Sequence, residues 1–170
     1  MKFLPYENLT IRSELTTSEL KQRLMAEIEP KKLLRSPFKK NNLKPYEGNL
    51  TGDTFEINRI IHYRNSFLPV IKGRILSDAA GAKVEVKLRL NIMVQIFAAI
   101  WMVGVTIAFV AMLIASIREG QFGAVIFIPL GMLLFLYLMT TGGFKAESGR
   151  TKKDLLAFFE GEVEDRNLLL

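Results

Sequence analysis

Two long apolar runs dominate the pattern of hydrophobic and polar positions. Between Ile92 and Ile117, and again between Phe122 and Phe144, no Asp, Glu, Lys, Arg or His occurs; Arg118-Glu119-Gly120-Gln121 separates them. A bilayer core about 30 Å thick needs roughly 20 apolar residues at about 1.5 Å each. Both runs reach that length, and the first exceeds it enough to tilt or to emerge as a stalk. The break at 118–121 is too short for a folded loop, so residues 92–144 are expected to form an antiparallel transmembrane helical hairpin. The soluble alternative is a hairpin buried in a globular core. It asks for more covering material than the rest of a 170-residue chain supplies.

The pattern changes period on the N-terminal side. Val84, Val86, Leu88 and Leu90 alternate with Lys83, Glu85, Lys87 and Arg89, a half-buried strand that runs into the first apolar helix with almost no linker. Phe55, Ile57, Arg59, Ile61 and Tyr63 alternate with Glu56, Asn58, Ile60, His62 and Arg64; the first set is nearly apolar and core-directed. Thr51-Gly52-Asp53 is a hairpin turn signal after a strand over 46–50, Val70 to Leu76 is a strand with Gly73 inside it, and Ser77 to Ala82 is a turn. These signals predict an antiparallel sheet of about four strands.

A helix over Thr16–Glu29 is expected on one face of that sheet. Thr16 and Glu19 form a capping box, and Leu15 and Leu20 hold the staple positions. Leu20, Leu24 and Ile28 share a face, and Pro30 ends the helix because the residue before a proline leaves the helical region. Residues 1–14 carry no clear signal and read as an irregular lead-in. Beyond the hairpin, Gly142-Gly143 is expected to turn the backbone as it leaves the lipid. Thr151 and Asp154 repeat the capping pattern ahead of Leu155, Leu156, Phe158 and Phe159, which predicts a separate C-terminal helix folding back on the sheet. The fold class is thus a membrane α+β protein. Its parts are a domain at 1–91, the transmembrane hairpin at 92–144, and a C-terminal helix and tail at 145–170.

Charge sets the orientation. Residues 1–91 hold 17 Lys and Arg against 10 Asp and Glu, a surplus of seven, whereas the turn region holds only Arg118 beside Glu119. Lys83, Lys87 and Arg89 flank one end of the hairpin, and Lys145, Arg150, Lys152 and Lys153 flank the other. Basic residues stay on the cytoplasmic side of short loops, so both termini are expected in the cytoplasm and the turn outside. Cysteine is absent, which suits that compartment. The opening MKFLPYENLTIRSEL has no apolar signal core, so the first apolar helix is expected to act as its own insertion signal.

A basic connector over 31–44 contains Lys31, Lys32, Arg35, Lys39, Lys40 and Lys44 and no acid. It reads either as a solvated linker or as a lipid-headgroup surface, each residue near an anionic leaflet contributing about 1 kcal/mol. Nucleic-acid phosphates are the less favoured partner, although Leu33, Leu34 and Phe38 are interleaved.

Catalytic chemistry has little to build on. One histidine, His62, and no cysteine exclude a Cys–His nucleophile and a multi-histidine metal site. Ser66 lies near His62 in sequence without nucleophile–base spacing, and neither a GxGxxG nor a phosphate-cradling loop occurs. No enzyme, metal or cofactor is expected. The apolar helices also lack the ionisable groups that transport requires. They do carry a small-residue stripe, Gly104, Ala108, Ala111 and Ala115, that lets another helix approach closely.

The segment YRNSFLPVIKGRI, Tyr63 to Ile75, together with a hairpin placed after KVEVKLRL, resembles small uncharacterised bacterial two-helix membrane proteins with a cytoplasmic β-rich domain. The resemblance implies an inner-membrane location and brings no activity or functional residue with it. The expected function is a non-enzymatic interaction or sensing module that forms homo-oligomers through the stripe. Arg64, Asn65, Phe67 and Pro69 offer a surface to a protein partner, or else form a rigid structural loop. The alternative is a pore-forming or membrane-perturbing assembly.

Overall fold

The computed structural model describes residues 4–31, 44–61, 65–120 and 122–164. Among these residues a seven-stranded mixed sheet carries three α-helices, an α+β arrangement, and two of those helices are long and apolar enough to cross a membrane.

The lead-in is a strand. β1 (Tyr6–Ser13) pairs antiparallel with β6 (Gly81–Leu90) along its whole length, Tyr6 opposite Arg89 through Ser13 opposite Ala82. Only Leu9, Ile11 and Ser13 of β1 alternate inward, too short a pattern to stand out beside Thr10, which is also buried. β3 (Tyr46–Thr51), β4 (Thr54–Arg59), β5 (Pro69–Asp78) and β6 form the expected meander. Gly52, at φ 61°, supplies the left-handed position of the two-residue turn between β3 and β4. Two further edges complete the order β2-β3-β4-β5-β6-β1-β7. β2 (Ile28–Pro30) runs parallel to β3, which makes the sheet mixed instead of purely antiparallel; β7 (Gly161–Val163), in the acidic tail, pairs antiparallel with β1.

α1 (Thr17–Glu27) starts as its sequence requires: Thr16 and Glu19 exchange the reciprocal bonds of a capping box, and Leu20 and Leu24 are fully buried. It ends at Glu27, and Ile28 to Pro30 are already strand. One face of the sheet holds the core, built from Ile11, Phe55, Ile57, Ile71, Ile75, Val84, Val86 and Leu88. The opposite face is polar, and among the described residues no helix covers it.

β6 passes into α2 (Ile92–Glu119) through Asn91 alone, whose side chain accepts from the Met93 amide while Gln95 Nε2 donates to the Leu90 carbonyl (2.7 Å). Gly120 closes α2 in the left-handed region, and a 3-10 turn (Ala124–Phe127) leads into α3 (Ile128–Phe159). Here the structure corrects the sequence reading. Gly142 and Gly143 lie inside one continuous 32-residue helix, and Thr151 and Asp154 are interior positions of it, not a new cap. The reason for Gly143 is space: a Cβ there would come within 2.8 Å of the Phe67 ring.

Candidate functional site

The second half of α3 is where the apolar hairpin and the domain become one body. Phe144, Glu147, Ser148, Thr151, Leu155 and Phe159 recur at helical spacing and are all buried, the stripe that covers the sheet. Its far end is apolar. Phe159 tilts against Phe55 at 6.2 Å, Phe158 meets the edge of Tyr46 at 5.5 Å, and Ser13 Oγ donates to the Phe159 carbonyl at 2.6 Å.

Its near end is polar, and the charges are met from the sheet. Glu147 Oε1 accepts from Asn65 Nδ2 (3.0 Å) and Arg150 Nη1 (3.4 Å), and its Oε2 lies 3.8 Å from Arg59 Nη1. Arg59, on β4, also faces Asp154 at 3.7 Å, and Asp154 accepts from the Tyr46 hydroxyl at 2.9 Å. Burial raises the Tyr46 phenol far above its ordinary value, and the Asp154 carboxylate raises it further, so the hydroxyl keeps its proton and donates. On the other side Ser148 Oγ donates to Glu7 Oε2 (2.8 Å), which also pairs with Lys152. A carboxylate as buried as Glu147 is costly unless bonded, so these contacts hold α3 in one rotation and one register on the sheet. The sequence carried a signal for this: Arg59 follows Phe55 and Ile57 in the inward register, an odd cation whose partner had to come from elsewhere.

The candidate residues fall into three groups. Asn65, Phe67 and Pro69 of the proposed partner surface turn toward α3: Asn65 Oδ1 accepts from the Phe67 amide (2.9 Å), Phe67 packs on Gly143 and the core, and Pro69 is buried at the start of β5. These contacts tie Asn65 and Phe67 to the domain side of α3. Arg64 and His62 lie outside the described residues, as do Lys32, Arg35, Lys39 and Lys40 of the basic connector. Of that connector's ends, Lys31 lies 3.7 Å from Glu56, while Lys44 Nζ donates to the Met25 and Ile28 carbonyls at 2.7 and 3.1 Å and so closes the end of α1. Gly104, Ala108, Ala111 and Ala115 are all exposed, and Gly104 has open space where a Cβ would sit. The half-buried positions of α2, among them Val94, Ala98, Trp101, Val105 and Phe109, form a separate line at helical spacing.

The open sheet face holds a broad groove of about 670 Å³, floored by β3 to β6 and bordered by Lys72, Arg74, Lys87 and Arg89 with Glu56 and Glu85. Basic side chains outnumber acidic ones in it.

Comparison of the chain with protein-family models, with curated proteins and with solved structures finds no match.

Proposed function

We propose that the chain is a non-enzymatic interaction or sensing module, anchored in a bacterial inner membrane by α2 and α3 with its α+β domain on the cytoplasmic side. The single observation that carries this reading is the double rigid join. β6 enters α2 through one residue, and α3 is one helix from the apolar segment to the domain core. An anchor that only tethers a domain does not require a fixed angle between the two. Two inflexible joins instead make any tilt or rotation of the hairpin a displacement of the sheet, and any load on the sheet a torque on the hairpin.

No residue of α2 is buried, and most of the large apolar side chains from Ile92 to Ile117 are exposed, a surface that water does not tolerate and lipid does. The exposed small-residue stripe supports association of copies within the bilayer, since the α2–α3 contact leaves it uncovered. The test is the protein mass in mild detergent by light scattering, wild type against an Ala108→Leu, Ala111→Leu double variant, with prior proof of carbonate-resistant membrane association. A small discrete oligomer that falls to monomer in the variant is the expected result. An unchanged mass in the variant refutes the stripe. A ring-sized assembly that makes vesicles leak replaces the module with a pore.

A further inference from the structure

We propose that the end of the open sheet face nearest α2, formed by Arg89 and Lys87 on β6 with Lys72 on β5, binds the phosphates of anionic phospholipid headgroups. The inference rests on the membrane reading above and adds a ligand to it.

Charge on this face is sorted along the strands. At the end far from α2 the cations are neutralised: Arg12 lies 2.6 Å from Glu164 and 3.8 Å from Asp78, and Lys83 lies 3.0 Å from the same Glu164. In the middle, Glu56 takes Lys72 at 2.9 Å and Lys31 at 3.7 Å, and Arg74 has no direct ion pair among the described residues but stands opposite Glu85 in the β5–β6 register. At the near end the compensation stops. Neither Lys87 nor Arg89 has an ion-pair partner among the described residues, and Arg89 lies over the Tyr6 ring with its centroid 4.9 Å away. Lys87 stands directly opposite Lys72 in the β5–β6 register, and of this like-charge pair Glu56 compensates only Lys72.

The position selects the anion. Arg89 precedes Ile92 by three residues, about 10 Å of extended chain, and a long basic side chain shortens that gap by reaching toward the interface. Apolar exposure begins at once with Ile92 and Met93, 60% and 70% exposed, so the edge of the hydrocarbon lies at the first turn of α2. The Tyr6 ring beneath Arg89 is the amphipathic kind of group found at headgroup depth. A phosphate at that level meets Arg89 first, then Lys87 and Lys72 at the mouth of the groove.

The test uses the full chain in nanodiscs of phosphatidylcholine alone and of phosphatidylcholine mixed with phosphatidylglycerol. Lipids retained after mild detergent extraction are counted by mass spectrometry. The wild type is expected to keep phosphatidylglycerol in excess of its share of the mixture. A Lys87→Gln, Arg89→Gln double variant should lose that preference by on the order of tenfold, while an Arg12→Gln, Lys83→Gln control at the far end keeps it. Unfolding of all three in neutral nanodiscs checks that they are folded. An undiminished preference in the Lys87, Arg89 variant overturns the site while leaving the membrane reading intact. Equal stabilisation by inorganic phosphate in neutral nanodiscs overturns the lipid assignment. Failure of the wild type to enter either nanodisc overturns both readings.

Discussion

α2 and α3 are both long and apolar, yet they are built for different surroundings. α2 buries none of its 28 residues, and its side chains are apolar almost all round. α3 changes character along its length: Leu130, Leu134, Phe135 and Leu138 are exposed in its first half, and Phe144, Glu147, Thr151, Leu155 and Phe159 are buried in its second. The difference teaches that hydropathy marks where a helix changes its surroundings without marking where the helix ends. Past Gly143 the same helix exchanges uniform greasiness for a stripe, because it now has a sheet to cover. α2 needs no such change, since its partner on the domain side is its own preceding strand.

Four perturbations separate the two halves of α3, and they differ in size. Phe159→Ala should cost the most, about 3–5 kcal/mol, because it empties a fully buried aromatic site against Phe55; denaturant unfolding in detergent micelles, read by near-UV dichroism of the domain, measures it. Ala146→Pro should cost about 3 kcal/mol by removing a helical hydrogen bond between the halves, and it should free the domain to reorient, visible as faster proteolysis near residue 146. Gly142→Ala has the opposite sign. Nothing stands within 4 Å of a Cβ there, so a continuous helix gains roughly 0.5–1 kcal/mol in thermal stability. A chain that turned at this point would lose stability instead.

The smallest effect is acid dependence, and it belongs to the domain alone. The Lys72 ammonium holds the Glu56 carboxyl below the ordinary range, Lys21 does so for Asp53, and the Thr16 amide for Glu19. Groups depressed in the folded state add stability that is complete above the unfolded value of about 4 and is lost as pH falls through the folded one. The domain's melting midpoint should therefore drop below pH 4 by a few degrees at most, these groups being exposed, while the helical content of the hairpin stays unchanged. Tyr46 acts at the other extreme. Its raised value makes its contribution complete below about pH 10 and lost as pH rises beyond it, because only the unfolded chain ionises there.

The elements legible in the sequence are those whose pattern is repeated enough to exclude alternatives. Four period-two repeats marked β6, a capping box marked α1, and two charge-free runs marked the apolar helices. Each missed element lacked repetition. β1 offers three inward positions, one of them Ser13, and β2 and β7 are three residues each and exist only because a neighbour's edge is available. The glycine pair misled for a different reason: a glycine that admits a ring and one that admits a turn are spelled alike, and only Phe67 on Gly143 distinguishes them. The buried network was half visible. Arg59 stood out in its register, but Glu147 and Asp154 lie 88 and 95 residues away, and no local pattern links them.

The central claim, one unbroken α3 joining the apolar hairpin to the sheet, is open to a direct measurement. The chain has no native cysteine, so spin labels at Phe135→Cys and Lys153→Cys, both exposed, report on that pair alone in reconstituted bilayers. Eighteen residues of helix give a separation of about 27 Å. A single narrow distance distribution near that value is the predicted result. A broad distribution, or a shorter separation consistent with a bend at Gly142-Gly143, would contradict it.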